Sequence, residues 1–212
     1  MKQSALQLAD EYKVPTAFAF DEQTAKAKIL EAVNEKTAGP EHPHRVRVLL
    51  SSNGQLDVQV SLEAKDTSAI SLVLDQKPTC CSDSVFVRCK TTFRPMYTEA
   101  TARLSAEHSG AQVLLFNAQG EITEGNVANV AVGMPDGSGE MQLVTPPVSA
   151  GLLAGTMRAS LLECGRIVEG RITVDQFKHA VKRGWPVMCM NSVRGLYKVT
   201  PIVTEYSDKR AK

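Results

Sequence analysis

The 212-residue sequence predicts an α+β fold in two lobes. Three observations carry the prediction: helical stretches near the start, a strong hairpin signal after them, and a second half in which strand-like apolar runs alternate with helices. Ser4 to Tyr12 and Asp21 to Lys36 read as helices, the second opened by Asp21 as its N-cap. "AGPEHPH", with two prolines, breaks the helical pattern. In "RVRVLLSSNGQLDVQVSL" the turn is marked by Asn53-Gly54, and the second arm alternates apolar with polar residues. A period of two puts Arg45, Arg47 and Leu49 on one face of the first arm and Val46, Val48 and Leu50 on the other. "TCCSD", Thr79 to Asp83, reads as the connection between lobes, so a small lobe over 1–82 and a large one over 83–212 are expected.

The larger lobe opens on Val85, Phe86 and Val87, which read as a short buried strand. "AQVLLFNAQGEITEGNVANVAV" reads as a strand, a Gln119-Gly120 turn and one longer strand. "EMQLVTPP" is a further strand, stopped by Pro146-Pro147. "VSAGLLAGTMRASLLECG" is a loop and then a helix ending at Gly165. Asp175 to Arg183 forms another helix. "PVMCMNSVRG" is a buried strand that runs into a turn from Asn191 to Gly195.

Composition excludes several classes. The net charge is +1, with acidic and basic residues interspersed, so there is no electrostatic footprint for nucleic acid. No apolar run is long enough to span a bilayer. The opening "MKQSALQLADEYKVP" is an amphipathic helix with acidic residues rather than a signal peptide. Five cysteines lack metal-ligand spacing, and the adjacent Cys80 and Cys81 suit neither a redox pair nor a zinc knuckle. Reduced thiols in a cytoplasmic protein are the expectation.

Five features stand out chemically. Lys90 follows an apolar run and precedes two threonines. Its ammonium either reaches water along its stem or serves as a nucleophilic amine, whose burial is otherwise costly. Gly155 and Thr156 in "LLAGTMR" sit where a helix begins, which leaves backbone amides and a hydroxyl to cap the chain or bind an anion. Ser192 and Val193 in "NSVRG" offer a second such set after a strand. Glu124 precedes the apolar Val127, Val130 and Val132, as a surface carboxylate or a buried functional one. Arg45 and Arg47 are a solvated strand edge or are aimed at an anion.

The order of these pieces, with "KTTFRPMY", "GEITEGNVANVAV", "LVTPPVSAGLLAGTMR" and "MNSVRGL", resembles the class IV aminotransferase family, the pyridoxal-phosphate enzymes of fold type IV. The resemblance runs from about Ser4 to Gly195 and is strongest from Lys90 onward. These motifs look most like the 4-amino-4-deoxychorismate lyase-type domains. The branched-chain aminotransferases usually carry a glycine-rich stretch after the lysine, which "KTTFRP" lacks.

The resemblance implies a small α/β lobe, a larger pseudo-barrel lobe, and pyridoxal 5'-phosphate as cofactor. It implies Lys90 as the Schiff-base lysine and proton shuttle. Glu124 becomes the carboxylate that keeps the pyridine nitrogen protonated, and Asn129 a residue that orients the site. Arg47, with Arg45 as its same-face alternative, becomes the phosphate arginine. Gly155, Thr156, Ser192 and Val193 complete the phosphate cup. A homodimer acting on a small-molecule amino substrate is expected. The function implied is formation of 4-aminobenzoate and pyruvate in folate biosynthesis. The alternative is a transaminase of branched-chain or D-amino acids. Relatives begin earlier, with a strand ahead of the helix in "MKQSALQLADEY". A truncated start, a reduced small lobe, and a non-catalytic relative are therefore further expectations.

Overall fold

The computed structural model describes residues 2–11, 21–36, 44–62, 69–79 and 84–204. The "AGPEHPH" break up to Pro43, the end of the first predicted helix at Tyr12 and most of the "TCCSD" connection, with Cys80 and Cys81, lie outside the described residues. The chain divides into two compact units, Met1–Thr67 and Ser68–Lys212.

The first unit holds α1 (Lys2–Glu11), α2 (Glu22–Lys36) and the antiparallel hairpin of β1 (His44–Leu50) and β2 (Leu56–Leu62). Asp21 caps α2 as expected, accepting from the Thr24 amide at 2.8 Å. Asn53 Oδ1 accepts from the Gln55 amide at 3.0 Å, and Gly54 takes the positive φ of 83° that the loop requires. Arg45 pairs with Ser61 and Arg47 with Gln59, and both arginines are exposed on this strand.

The second unit begins earlier than residue 83, because β3 (Ser71–Leu74) runs parallel to β4 (Gln112–Phe116) inside its sheet. After β3 come α3 (Val85–Arg88), α4 (Pro95–Ala102), β4, β5 (Ile122–Gly125), β6 (Asn129–Pro135) and β7 (Met141–Thr145). They are followed by α5 (Thr156–Glu163), β8 (Val168–Glu169), α6 (Val174–Lys182), β9 (Val187–Asn191), β10 (Gly195–Lys198) and β11 (Thr200–Ile202). One sheet has the order β11-β3-β4-β5 and the other β10-β9-β6-β7-β8.

Residues from both sheets and α6 share one core: Leu72, Leu114, Ile122, Val130, Val132, Val187 and Phe177. The opposite faces are buried too. Val113 and Leu115 pack with Tyr97 and Ala100 of α4. Ala131 and Met190 pack with Leu161 of α5. Strands covered on both faces read as continuous apolar runs, which is why "QVLLF" and "VANVAV" carry little polar alternation.

Two expected elements differ. Val85 to Val87 is one turn of helix, not a strand. Ser84 caps it, its hydroxyl accepting from the Phe86 amide at 3.2 Å, while Val85 and Val87 are buried. An apolar run of three carries no period, so the cap and the burial sites decide its form. The long strand expected after Gln119-Gly120 is two strands in different sheets. The chain turns at Gly125–Ala128, where the Gly125 amide donates to the Ala128 carbonyl at 2.8 Å. A Cβ on Gly125 would stand 3.1 Å from that carbonyl oxygen, so glycine suits the close turn. Glu124 ends one strand and Asn129 begins the next, so the sheet switch brings them together.

Candidate active site

Glu124 is the centre of a buried polar cluster in the second unit. Its side chain lies on β5 with the residue only 5% exposed, which removes the surface-carboxylate reading. Tyr97 Oη donates to Glu124 Oε1 at 2.6 Å, and the Leu153 amide donates to the same oxygen at 3.2 Å. Asn129 Nδ2 donates to Oε2 at 3.0 Å and also to the Leu153 carbonyl at 2.9 Å. Asn129, the first residue of β6, thus holds the carboxylate against the Leu153 backbone. Burial pushes the Glu124 carboxyl up to about 7. The Tyr97 and Leu153 hydrogen bonds and the charges of Arg94 and Lys90 pull against that rise.

Lys90 stands in the loop between α3 and α4. It is exposed, and its charge acts on Glu124. The loop is shaped locally: Thr91 Oγ1 accepts from the Phe93 amide at 3.1 Å, and Pro95 opens α4 at a position that needs no amide donor. α4 then carries Tyr97 inward, while the Arg94 guanidinium lies 4.2 Å above the Tyr97 ring and donates to the Asn126 carbonyl. Burial first, then the Glu124 charge, hold the Tyr97 phenol far above its usual value, so it is a proton donor throughout the physiological range.

The two turns read separately as anion sites meet. Thr156 Oγ1 and Ser192 Oγ are 2.7 Å apart and both residues are exposed. Gly155 is the N-cap of α5 and brings no capping side chain, so the first amides of that helix have no partner from it. Gly155 also faces the site from the other side: a Cβ there would run into Asn129 Oδ1. Gly155→Ala should therefore displace Asn129 and destabilise the fold by about 1–3 kcal/mol, read as a lower midpoint in urea unfolding. Arg158 of α5 is 4% exposed; it donates to the Pro146 carbonyl at 2.7 Å and pairs with Glu169, tying the "TPP" loop to the helix.

The Val193 amide differs from the expectation. It donates to Asn191 Oδ1 at 3.0 Å, and the Arg194 amide does likewise at 2.9 Å. The asparagine side chain closes this turn on itself. Arg47 and Arg45 lie on β1, in the first unit. Sequence reasoning passed over Tyr97, Arg94, Leu153 and Asn191. Tyr97 and Arg94 lie within the "KTTFRPMY" motif, where a tyrosine in the first turn of a proline-started helix was the available signal. Leu153 acts through its backbone and leaves no signal.

The residues fit pyridoxal phosphate. A buried, triply hydrogen-bonded carboxylate suits a protonated pyridine nitrogen, an amine stands within electrostatic reach of it, and hydroxyls at a helix start suit a phosphate. Among the described residues no cluster could hold a metal ion.

The model of the family described as amino-transferase class IV matches residues 3–202. A Schizosaccharomyces pombe protein named "Putative aminodeoxychorismate lyase" is 36% identical over 184 residues, covering 86% of this chain and 75% of that protein. The crystal structure of 4-amino-4-deoxychorismate lyase from Pseudomonas aeruginosa has a TM-score of 0.60 at 17% identity, covering 93% of this chain and 74% of that one. A Mycobacterium tuberculosis structure described as a hypothetical aminotransferase in its PLP-bound form has a TM-score of 0.65 at 16% identity, covering 94% of this chain and 74% of that one. The two structures share the fold, and the family model spans nearly all the elements that build the cluster around Glu124. The chain belongs to the class IV amino-transferase family.

Proposed function

We propose that this protein is a pyridoxal-phosphate-dependent 4-amino-4-deoxychorismate lyase, releasing 4-aminobenzoate and pyruvate. The observation that carries the reading is the buried Glu124 carboxyl, held by Tyr97, Asn129 and the Leu153 amide within the field of Lys90. The likeness to the fission-yeast protein over most of both chains selects the lyase among the family's activities.

Bound here, pyridoxal phosphate supplies an electron-accepting ring that stabilises negative charge on the substrate carbon next to nitrogen. Glu124 would hold the ring-nitrogen end of the cofactor, its carboxylate oriented by its three donors. Lys90 would be the residue that holds the cofactor, and its amine, once released, would take the proton from the substrate carbon bearing nitrogen. The electron pair of that C–H bond forms the aromatic ring as the C–O bond to the enolpyruvyl group breaks. The released enolate takes up a proton at its methylene carbon and becomes pyruvate, so no oxidant or keto acid is consumed. Thr156, Ser192 and the start of α5 would hold the phosphate.

Purified protein supplied with the cofactor and 4-amino-4-deoxychorismate should release pyruvate with no keto acid present. Transfer of nitrogen to an added keto acid, without pyruvate release, would establish the transaminase instead. The same reading includes a homodimer in the cytoplasm. Among the described residues no helix is long and apolar enough to cross a membrane.

Arg47 is the proposed phosphate arginine. Removing a charge-assisted, bidentate partner costs on the order of 1.5–3 kcal/mol, or about tenfold to a hundredfold in cofactor affinity. An exposed arginine with no anion loses less than about twofold. Titration of pyridoxal phosphate should show the large loss in Arg47→Ala and the small one in Arg45→Ala. The reverse order moves the role to Arg45.

A further inference from the structure

We infer that Tyr97 is a positioning residue: together with the Leu153 amide it saturates Oε1 of Glu124, so that Oε2 is the oxygen presented to the cofactor's ring nitrogen. This rests on the role given to Glu124 above. An ionised carboxylate has about four acceptor sites, two on each oxygen. Tyr97 Oη and the Leu153 amide fill both on Oε1, at 2.6 and 3.2 Å. Asn129 Nδ2 takes one on Oε2 at 3.0 Å, which leaves one there. Leu153 N–H and Asn129 Nδ2 can only donate. The tyrosine is the member of the set whose removal costs the carboxylate a donor without touching the backbone or the strand pair.

The cluster holds its tyrosine firmly. The residue is 9% exposed, packs with Ala100, Val113 and Leu115, and carries the Arg94 guanidinium 4.2 Å above its ring. The groups that bear on Glu124 are Tyr97 and Arg94 at the start of α4, Lys90 in the preceding loop, Leu153 before α5, and Asn129 on β6. Of these, the Tyr97 hydrogen bond is the largest influence favouring the ionised form, against a burial that opposes it. The tyrosine thus decides how much of the carboxyl is ionised near neutral pH, and which of its oxygens is free.

The test is a carboxyl titration followed by carbon-13 NMR on cofactor-free protein labelled at glutamate. The Glu124 signal is assigned by its loss in Glu124→Gln. Tyr97→Phe keeps the ring and its packing, and should raise the Glu124 midpoint by about one to two pH units. Placing 3-fluorotyrosine at position 97, a stronger donor of the same shape, should lower it. A purely structural tyrosine would leave the midpoint where it is in both proteins, and midpoints equal to wild type would overturn the inference. If Tyr97→Phe does not fold, the sign of the fluorotyrosine shift decides alone. Pyridoxal phosphate should also bind Tyr97→Phe more weakly than wild type at pH 7, with the deficit narrowing at pH 9. A deficit independent of pH counts against the inference. Wild type that takes up no cofactor would sink the lyase reading and leave the titration to stand by itself.

Discussion

Lys90→Ala is expected to abolish the borohydride-reducible attachment of pyridoxal phosphate and to lower any lyase turnover by at least about a hundredfold to ten-thousandfold, the range of a lost acid–base group. The reason is local. Lys90 is the lysine whose charge acts on Glu124. It lies in a loop where the Thr91 hydroxyl accepts from the Phe93 amide and Pro95 opens α4. The fold should therefore persist, with unchanged circular dichroism and an unfolding midpoint close to wild type, because exposed loop substitutions seldom move stability by more than about 0.5 kcal/mol. Mass spectrometry after borohydride reduction is the direct measurement. A covalent adduct retained at full stoichiometry would move the attachment to another lysine.

Glu124→Gln should separate chemistry from stability. With cofactor bound, the ring nitrogen loses its anionic partner, and proton abstraction should slow by at least about tenfold, a barrier rise of roughly 1.4 kcal/mol. A rate within about threefold of wild type would remove the residue from that role. In the cofactor-free protein the same substitution should stabilise at alkaline pH. The carboxyl has an ordinary value of 4.5, and burial raises it to about 7 in the fold. Below pH 4.5 it is neutral in both folded and unfolded chains and costs nothing. As pH rises from 4.5 to 7 the unfolded chain ionises first, so the folded state loses about 3 kcal/mol and then loses no more. Glutamine carries no such dependence. Urea unfolding of both proteins at pH 5 and pH 8 should show the variant gaining on wild type at the higher pH; parallel stabilities would place the carboxyl near its ordinary value.

Elements whose signal lies in neighbouring residues were legible in the sequence. Asp21 announced the start of α2, Asn53-Gly54 the hairpin, and Gly165, with its φ of 70°, the end of α5. α6 is opened by a capping box between Thr173 and Gln176, beside its predicted start. Each is a hydrogen bond within a few residues, so the local sequence contains both partners. Elements whose form depends on distant partners were not legible. β3 is recognised by pairing with β4 and β11, each far from it along the chain, and that pairing moves the unit boundary ahead of residue 83. The turn of helix at Val85 and the sheet switch at Gly125 were set by burial and by room for a carbonyl, neither of which a period reports.

The candidate site divides the same way. The sequence by itself determined the family, through Lys90, Glu124 and Asn129 and the two turns at Gly155-Thr156 and Ser192, because those residue types in that order supply an amine, a carboxylate and anion donors. Only the tertiary structure decided that Thr156 meets Ser192 and that Tyr97 reaches Glu124. It alone also decided that the carboxyl sits near neutrality, because the desolvation that raises an acid and the donors that lower it come from β5, β6, α4 and the chain before α5, elements that become neighbours only when the sheets are assembled.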